Sequence, residues 1–193
     1  VPLSAMLEAG RYFLRKQQRS TGVSDRELIK IAVKSMGLDE LYPFDPDIKI
    51  IEYKLRDKGQ KHLVDLTVRE FMEETASESP APGGGSVSAC MGALGTALAT
   101  MVANLSSHKR GWDERWKEFS DWADQGKSIQ EKLLLLVDED TRAFNAIISA
   151  FRMPKGTPEE KKERDRAIQE ATVQAIRVPF QVMNTAFQGY EVA

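Results

Sequence analysis

One carboxylate of the sequence falls on a helical face that is otherwise apolar. The residues from about Asp113 to Phe151 predict one long helix, because apolar side chains recur every three or four positions. At about 100° per residue, Asp140 lies near the middle of this apolar stripe. The stripe consists of Leu133, Leu136, Val137, Phe144, Ile147 and Phe151. A carboxylate on a buried face is costly unless it is paired, hydrogen-bonded or protonated, so Asp140 is a candidate general acid or base.

The residues alone leave two roles open for Asp140. The first is catalytic, because burial of a carboxylate moves its titration towards the pH range in which acid–base catalysis is efficient. The second is structural, with Asp140 paired to an arginine or lysine of another helix. The neighbouring Asp138 has Arg142 four residues later, and this spacing predicts a solvated ion pair.

A glycine-rich loop precedes the next helical pattern. Residues 79–86 read Ser-Pro-Ala-Pro-Gly-Gly-Gly-Ser, and glycines let a ligand approach the backbone closely. A helix N-terminus adds free N–H groups and a partial positive charge, so the loop could seat a carboxylate or a flat polar ring. The loop lacks the spacing of a Walker or GxGxxG motif. A flexible linker is the structural alternative. The candidate residues are Pro82, Gly83, Gly84, Gly85 and Ser86.

The segment after this loop is apolar or small on every side. Residues 79–107 contain no charged residue, and a run of this length raises the question of a membrane span. The segment is rich in Ala, Gly, Ser and Thr, which suit close contact between helices. We interpret residues 87–105 as a helix buried in an all-α domain or at an oligomer interface, and we expect no membrane.

The elements that position these residues are mainly helices. Capping boxes at Thr67 and Thr157 predict two helix starts. The β-branched and aromatic run at residues 48–53 predicts a strand. Residues 54–62 carry almost no apolar side chains and are assigned to a linker.

The predicted fold class is therefore mainly α. A small α/β part over residues 1–53 is followed by the linker and by an all-helical, up-and-down domain over residues 63–193. Helical patterns run into both ends of the sequence, so we expect the chain to be a fragment and the helical domain to be truncated.

Composition narrows the class of protein. Hydrophobic content of 41% and charged content of 29% are those of a soluble globular protein, and a net charge of -2 predicts no nucleic-acid partner. The single cysteine, Cys90, fits a reducing compartment. No signal peptide opens the sequence, so we expect a cytoplasmic protein. No Cys/His cluster has metal-ligand spacing, so no metal is expected.

Ordered segments along the sequence match the pattern of one enzyme family. After residue 62 they are residues 79–87, 101–105, 137–140, 143–144, 151–155, 157–161 and 178–179. These segments resemble the cyclodeaminase/cyclohydrolase family. Residues 1–3, 38–41, 43–46 and 50–53 resemble the end of the formimidoyltransferase C-terminal subdomain. The two resemblances in this order point to the fused formimidoyltransferase-cyclodeaminase family.

This resemblance implies a folate enzyme of histidine degradation. Its transferase moves a formimino group from N-formimino-L-glutamate to tetrahydrofolate, which acts as the one-carbon carrier. Its cyclodeaminase closes 5-formiminotetrahydrofolate to 5,10-methenyltetrahydrofolate and releases ammonia. The family's catalytic aspartate falls within residues 138–140, and the helical stripe selects Asp140. The loop at residues 82–86 would help seat the folate, and Lys109 or Arg152 would meet its polyglutamate tail.

Two alternatives remain beside this reading. The first is a methenyltetrahydrofolate cyclohydrolase on the same helical scaffold, although the transferase-like stretch before Leu63 favours the fused enzyme. The second is a non-catalytic helical oligomerisation module. The family forms ring-like octamers, so the resemblance implies a homo-oligomer. The transferase's catalytic histidine is absent from the sequence, and the activity of a fragment alone stays open.

Overall fold

The computed structural model describes residues 1–40, 42–55 and 62–193. Within these residues the chain is helical and contains no β-strand, which confirms a mainly α fold. The predicted linker at residues 54–62 falls largely on residues 56–61, which lie outside the described residues. The helices are α1 (Leu3–Lys16), α2 (Asp25–Ser35), α3 (Pro46–Lys49), α4 (Ile51–Leu55), α5 (Val68–Thr75), α6 (Gly84–Ser106), α7 (Trp116–Phe151) and α8 (Pro158–Gln188).

Reciprocal caps close the starts of α5 and α8. Thr67 and Thr157 each accept a hydrogen bond from the backbone N–H of the glutamate three residues later, and each glutamate carboxylate accepts one in return. These contacts satisfy backbone donors that the first turn of a helix leaves free. Both helix starts are therefore confirmed at the residues that the sequence predicts.

The strand predicted for residues 48–53 is wrong. Asp45 caps α3 by accepting a hydrogen bond of 3.0 Å from the N–H two residues later, and Pro46 is the first helical residue. Ile50, between α3 and α4, is fully buried. A strand needs a neighbour for its backbone groups, and the described residues provide none. The predicted α/β part consequently contains helices and no strand among the described residues of 1–53.

The chain divides into two compact units. The first comprises Val1–Gln60, Ala97–Ser128 and Val192–Ala193, and the second comprises Lys61–Thr96 and Ile129–Glu191. The first unit contains residues from both sides of the predicted linker. The division into domains at residues 54–62 therefore stays a prediction about the sequence.

In the first unit, α1 and α2 pack around a small apolar core. Met6 of α1 and Ile29, Ala32 and Val33 of α2 are buried together with Ile50. The two helices approach closely because α1 carries a glycine opposite the α2 backbone.

Replacing Gly10 by alanine is expected to destabilise this helix pair. The added Cβ would lie 2.8 Å from the carbonyl carbon of Leu28, and backbone cannot move aside without separating α1 from α2. Overpacking of this kind costs about 1–3 kcal/mol. Gly95→Ala on α6 is the control, because a Cβ there meets nothing within 4 Å. Thermal unfolding measures both variants, and equal melting temperatures would contradict the close approach.

The loop between α1 and α2 is anchored on α6 and α7 within the same unit. Thr21 donates a hydrogen bond from its N–H to Ser120 Oγ at 3.0 Å and another from Oγ1 to Asp124 Oδ2 at 2.5 Å. Asn104 of α6 donates from Nδ2 to the carbonyl of Gly22 at 2.8 Å. The first unit therefore joins the start of the chain to parts of two long helices by buried polar contacts.

In the second unit, the small residues of α6 allow α7 and α8 to come close. A Cβ at Gly92 would lie 3.3 Å from Ala186 Cβ and 3.4 Å from Leu133 Cδ1. Ala89 and Ala93 are also buried. These positions serve helix packing, as small residues do at close helix contacts.

The opposite face of α6 is exposed and apolar. It carries Met91, Leu94, Leu98, Met101, Val102 and Leu105. By length and composition alone α6 could cross a membrane, but this is weak evidence because core helices of soluble proteins pass the same test. The expectation that no membrane is involved stays a prediction.

Candidate functional site

Asp140 reaches from α7 to the N-terminus of α6. Its Oδ2 atom accepts a hydrogen bond of 2.9 Å from the backbone N–H of Ser86. Ser86 is the third residue of α6, so this N–H is one of the donors that a helix start leaves without an intrahelical partner. The carboxylate therefore caps α6 from another helix, where the partial positive charge of the helix start stabilises an anion.

The absence of a side chain at Gly85 makes this approach possible. A Cβ there would lie 2.7 Å from Asp140 Oδ2 and closer still to Oδ1 and Cγ. A Cβ at Gly83 would lie 4.0 Å from Oδ2, and one at Gly84 would meet nothing within 4 Å. The three successive glycines thus differ, and Gly85 is the one that the position of Asp140 requires.

The structure brings together Asp140 and the glycine-rich loop before α6, two features that the sequence predicts separately. Asp140 is partly buried, and Val137, one turn earlier on α7, is fully buried on the apolar stripe. Phe151, at the far end of the stripe, is 54% exposed. Among the described residues, no lysine, arginine or histidine forms an ion pair with Asp140, and Ser86 supplies its hydrogen bonds. The paired structural role is therefore not found in the described part of the chain.

Asp138 has partners other than the predicted one. Its Oδ1 atom accepts a hydrogen bond of 2.7 Å from the N–H of Leu63, and its Oδ2 lies 3.8 Å from His62 Nδ1. Arg142 pairs instead with Glu139, at 3.0 Å. The predicted solvated pair between Asp138 and Arg142 is wrong, because the residues before α5 cover Asp138 and leave its side chain 14% exposed.

The loop before α6 presents backbone and buried side chains to this site. Pro82 is buried and follows a cis peptide bond from Ala81. Ser86 is fully buried. Its hydroxyl lies 2.7 Å from the Val137 carbonyl oxygen and 3.2 Å from Thr141 Oγ1. Sequence reasoning missed Thr141, although a hydroxyl residue directly after the candidate aspartate is a signal that could have drawn attention to it.

An apolar groove with a volume of about 530 Å³ begins one residue beyond Ser86. It is lined by α5, by Val87–Leu94 of α6, and by Leu134 and Val137 of α7. Grooves of this size and character suit the flat apolar part of a small ligand. The sequence analysis does not predict this groove, and in the structure no residue of α5 is fully buried beside it.

The two cations predicted to meet a glutamate tail lie in different units. Lys109 belongs to the first unit, where its ammonium lies 4.4 Å from the centre of the Trp112 ring. Partial burial and then the positive charge of Arg19 lower the pKa of the adjacent His108. Arg152 is exposed and follows α7 in the second unit. It lies about 18 Å along the helix axis from Asp140, so its assignment and that of Lys109 stay predictions.

Fold and site together define a helical protein in which a carboxylate is held at a glycine-rich helix start. A family model described as "Formiminotransferase-cyclodeaminase" matches residues 67–193, and one described as "Formiminotransferase domain" matches residues 1–56. The chain therefore belongs to the formiminotransferase-cyclodeaminase family. The resemblance stated from the sequence motifs is confirmed.

Curated relatives support the same family. The chain is 39% identical to the formimidoyltransferase-cyclodeaminase of Rattus norvegicus over 97% of its own length, and 37% identical to that of Sus scrofa over 96%. It spans 35% and 34% of those proteins, about a third of their length. It is also 36% identical, over 58% of its length, to a methenyltetrahydrofolate cyclohydrolase of Methylorubrum extorquens, of which it covers 54%.

Proposed function

We propose that the chain is part of a folate one-carbon enzyme of histidine degradation. Its helical part converts 5-formiminotetrahydrofolate to 5,10-methenyltetrahydrofolate and ammonia. A joined glutamate formimidoyltransferase loads the formimino group from N-formimino-L-glutamate onto tetrahydrofolate. The observation that carries the proposal is Asp140, held at the start of α6 without a basic partner among the described residues. The single cysteine supports a reducing, cytoplasmic location.

The chemistry needs a base close to the reacting nitrogen. N10 of the folate attacks the formimino carbon and loses its proton to a base, an acid protonates the leaving nitrogen, and the C–N bond to that nitrogen then breaks to release ammonia. Asp140 takes the N10 proton, because its Oδ1 atom has no hydrogen-bond partner among the described residues. The loop at residues 82–86 offers backbone groups to the ligand, and the apolar groove accommodates an aromatic part of it.

From the sequence resemblance we propose that Lys109 or Arg152 meets the polyglutamate tail. Both side chains carry a positive charge, and neither forms an ion pair with a described residue. Reversal of either charge should raise the KM for folate polyglutamate, and an unchanged KM would remove that residue from the site.

The described residues contain no group of three or more His, Cys, Asp or Glu side chains that could hold a metal ion. A metal-free reaction stays an expectation.

The experiment that tests the function follows the absorbance of methenyltetrahydrofolate, with the protein produced at its natural full length. Growth of this absorbance from 5-formiminotetrahydrofolate supports the cyclodeaminase. The relative from Methylorubrum extorquens favours a second candidate, the cyclohydrolase, which would instead consume methenyltetrahydrofolate. Absence of both reactions would leave the non-catalytic helical module.

We also propose that the protein is a homo-oligomer in which α8 contributes an interface. One face of α8 carries exposed apolar residues spaced alternately by three and four positions, the repeat of helices that pair along a seam. The residues of α8 are Val173, Ile176, Phe180, Met183 and Phe187, and Tyr190 continues the spacing in the short 3-10 helix Gly189–Glu191 that follows; their exposures range from 43% to 79%. The intervals between these residues follow the same order in both directions along the helix. Two antiparallel copies of α8 can therefore meet about a two-fold axis.

The register of this pairing sets one aromatic side chain opposite one non-aromatic side chain in each pair. Val173 of one copy faces Tyr190 of the other, Ile176 faces Phe187, and Phe180 faces Met183. An aromatic side chain has about 150–250 Å² to bury, and the three rings are 57% to 79% exposed, so they supply about half of the roughly 800 Å² per partner of a stable interface. A ring-like octamer would need a second kind of interface besides this two-fold one.

Phe180→Glu should weaken the self-association of α8. The charge would be buried near the proposed axis, and loss of a central aromatic contact costs about 2 kcal/mol or more, roughly a thirtyfold rise in Kd. Gln181→Glu adds the same charge at the next, exposed position and serves as the control. Native mass spectrometry over a dilution series gives the comparison. A wild-type monomer, or equal masses for both variants, would contradict the interface.

A further inference from the structure

Ser86 contacts α7 at two points that are one turn apart. Its hydroxyl donates a hydrogen bond of 2.7 Å to the carbonyl oxygen of Val137. Its backbone N–H donates one of 2.9 Å to Oδ2 of Asp140. The residue is fully buried, so its side chain cannot touch a ligand directly. Ser86 therefore connects the start of α6 to the turn of α7 that carries the carboxylate.

The hydroxyl has a single proton to share among three neighbouring oxygens. A carbonyl can only accept, and the Val137 contact is the shortest, so the proton is directed there. Asp140 Oδ2 and Thr141 Oγ1 each lie 3.2 Å from the Ser86 oxygen. The hydroxyl thus fixes residue 86 on α7, and the backbone N–H supplies the stronger hydrogen bond to the carboxylate.

We propose that Ser86 is a positioning residue that fixes Oδ2 of Asp140 so that Oδ1 exchanges the proton with the substrate. The inference rests on the proposed cyclodeaminase function. In this inference the Ser86 side chain does not contact folate, and it affects the reaction through the position of Asp140. Oδ1 is available for this exchange because no described residue forms a hydrogen bond with it.

The test is Ser86→Ala in the protein at its natural full length, with Ser88→Ala as the matched control on the exposed side of α6. Loss of the Val137 contact lets the helix start shift, and a displacement of about 1 Å can cost about 10²-fold in rate. We expect kcat to fall about 10- to 100-fold and the KM for 5-formiminotetrahydrofolate to change less than about threefold. Ser88→Ala should retain the wild-type kcat.

A double-mutant cycle separates positioning from a general structural role. If Ser86 acts through Asp140, Ser86→Ala should lower kcat little further once Asp140 is already asparagine. A merely structural role would lower the residual rate by the same factor in both backgrounds, and that result would overturn the proposal. If Ser86→Ala does not fold, Thr141→Val removes the neighbouring hydroxyl and takes its place in the cycle, with Thr141→Ser as its control.

The outcomes distinguish this inference from the proposed function. Wild-type turnover with an unchanged kcat in Ser86→Ala would overturn the role of Ser86 alone. A raised KM at unchanged kcat would also overturn it, because that result indicates a direct ligand contact. Absence of turnover by the wild-type protein would overturn the cyclodeaminase function and the positioning role together.

Discussion

Asp140→Asn should lower the cyclodeaminase kcat by about 10²- to 10⁴-fold, the contribution of a general base placed beside its substrate. Asparagine has nearly the same shape, and its carbonyl oxygen can still accept the hydrogen bond from the Ser86 N–H. It cannot take a proton from N10 at neutral pH. The absorbance of methenyltetrahydrofolate measures the effect in single turnovers and at steady state.

The effect of Asp140→Asn on folding should be small by comparison. Loss of the negative charge at the start of α6 removes a favourable interaction with the helix dipole, worth about 0.3–1 kcal/mol. Asp138→Asn is the control, because that carboxylate lies on the same helix and accepts its hydrogen bond from Leu63 instead. Equal losses of activity in the two variants, or full activity in Asp140→Asn, would remove Asp140 from the chemistry while leaving the family unchanged.

Gly85→Ala should abolish most of the cyclodeaminase activity by displacing Asp140. The new Cβ would overlap the carboxylate, whose Oδ2 lies 2.7 Å from that position. Because the atoms it meets belong to the end of a side chain, Asp140 can rotate away and the helices need not separate. We expect a fall in kcat of about 10²-fold or more from the misplaced base.

Gly84→Ala is the matched control for Gly85→Ala. The two variants add the same methyl group to adjacent residues of α6, but a Cβ at Gly84 meets nothing within 4 Å. Gly84→Ala should therefore leave Asp140 in place and retain kcat within a factor of about three, whereas a contact of this loop residue with folate would change KM. A spectrum of the folded protein and its melting temperature accompany both assays. Equal kcat values for the two variants would contradict the assigned contact between Gly85 and Asp140.

Local patterns predict much of the fold and the position of Asp140 on α7. Helical periodicity placed Asp140 on the buried stripe of α7, and the capping residues placed the start of α8 at Thr157. Both signals depend on residues within about two helical turns, so a single sequence contains them completely. The contact between Asp140 and Ser86 joins residues 54 positions apart, and no local pattern specifies it.

The errors come from contacts that are distant in the sequence. The strand expected at residues 48–53 has the right composition, but β-propensity needs a neighbouring strand to be expressed. Helical spacing predicts an ion pair between Asp138 and Arg142. In the structure the Asp138 carboxylate instead accepts a hydrogen bond from the N–H of Leu63, 75 positions away. A capping pattern can be seen before folding, but the partner of a partly buried carboxylate depends on which segment covers it.

The anchored loop between α1 and α2 bears on how the gene could be divided. A cut between residues 56 and 67 would separate the segments matched by the two family models. It would also remove the hydrogen bonds that Thr21 donates to Ser120 and Asp124. The hydrogen bond from Asn104 to the carbonyl of Gly22 would be lost as well. An excised helical segment would then expose polar groups that are now satisfied. The residues before the linker and parts of α6 and α7 therefore satisfy each other's polar groups, so separation of the two segments would remove these hydrogen bonds.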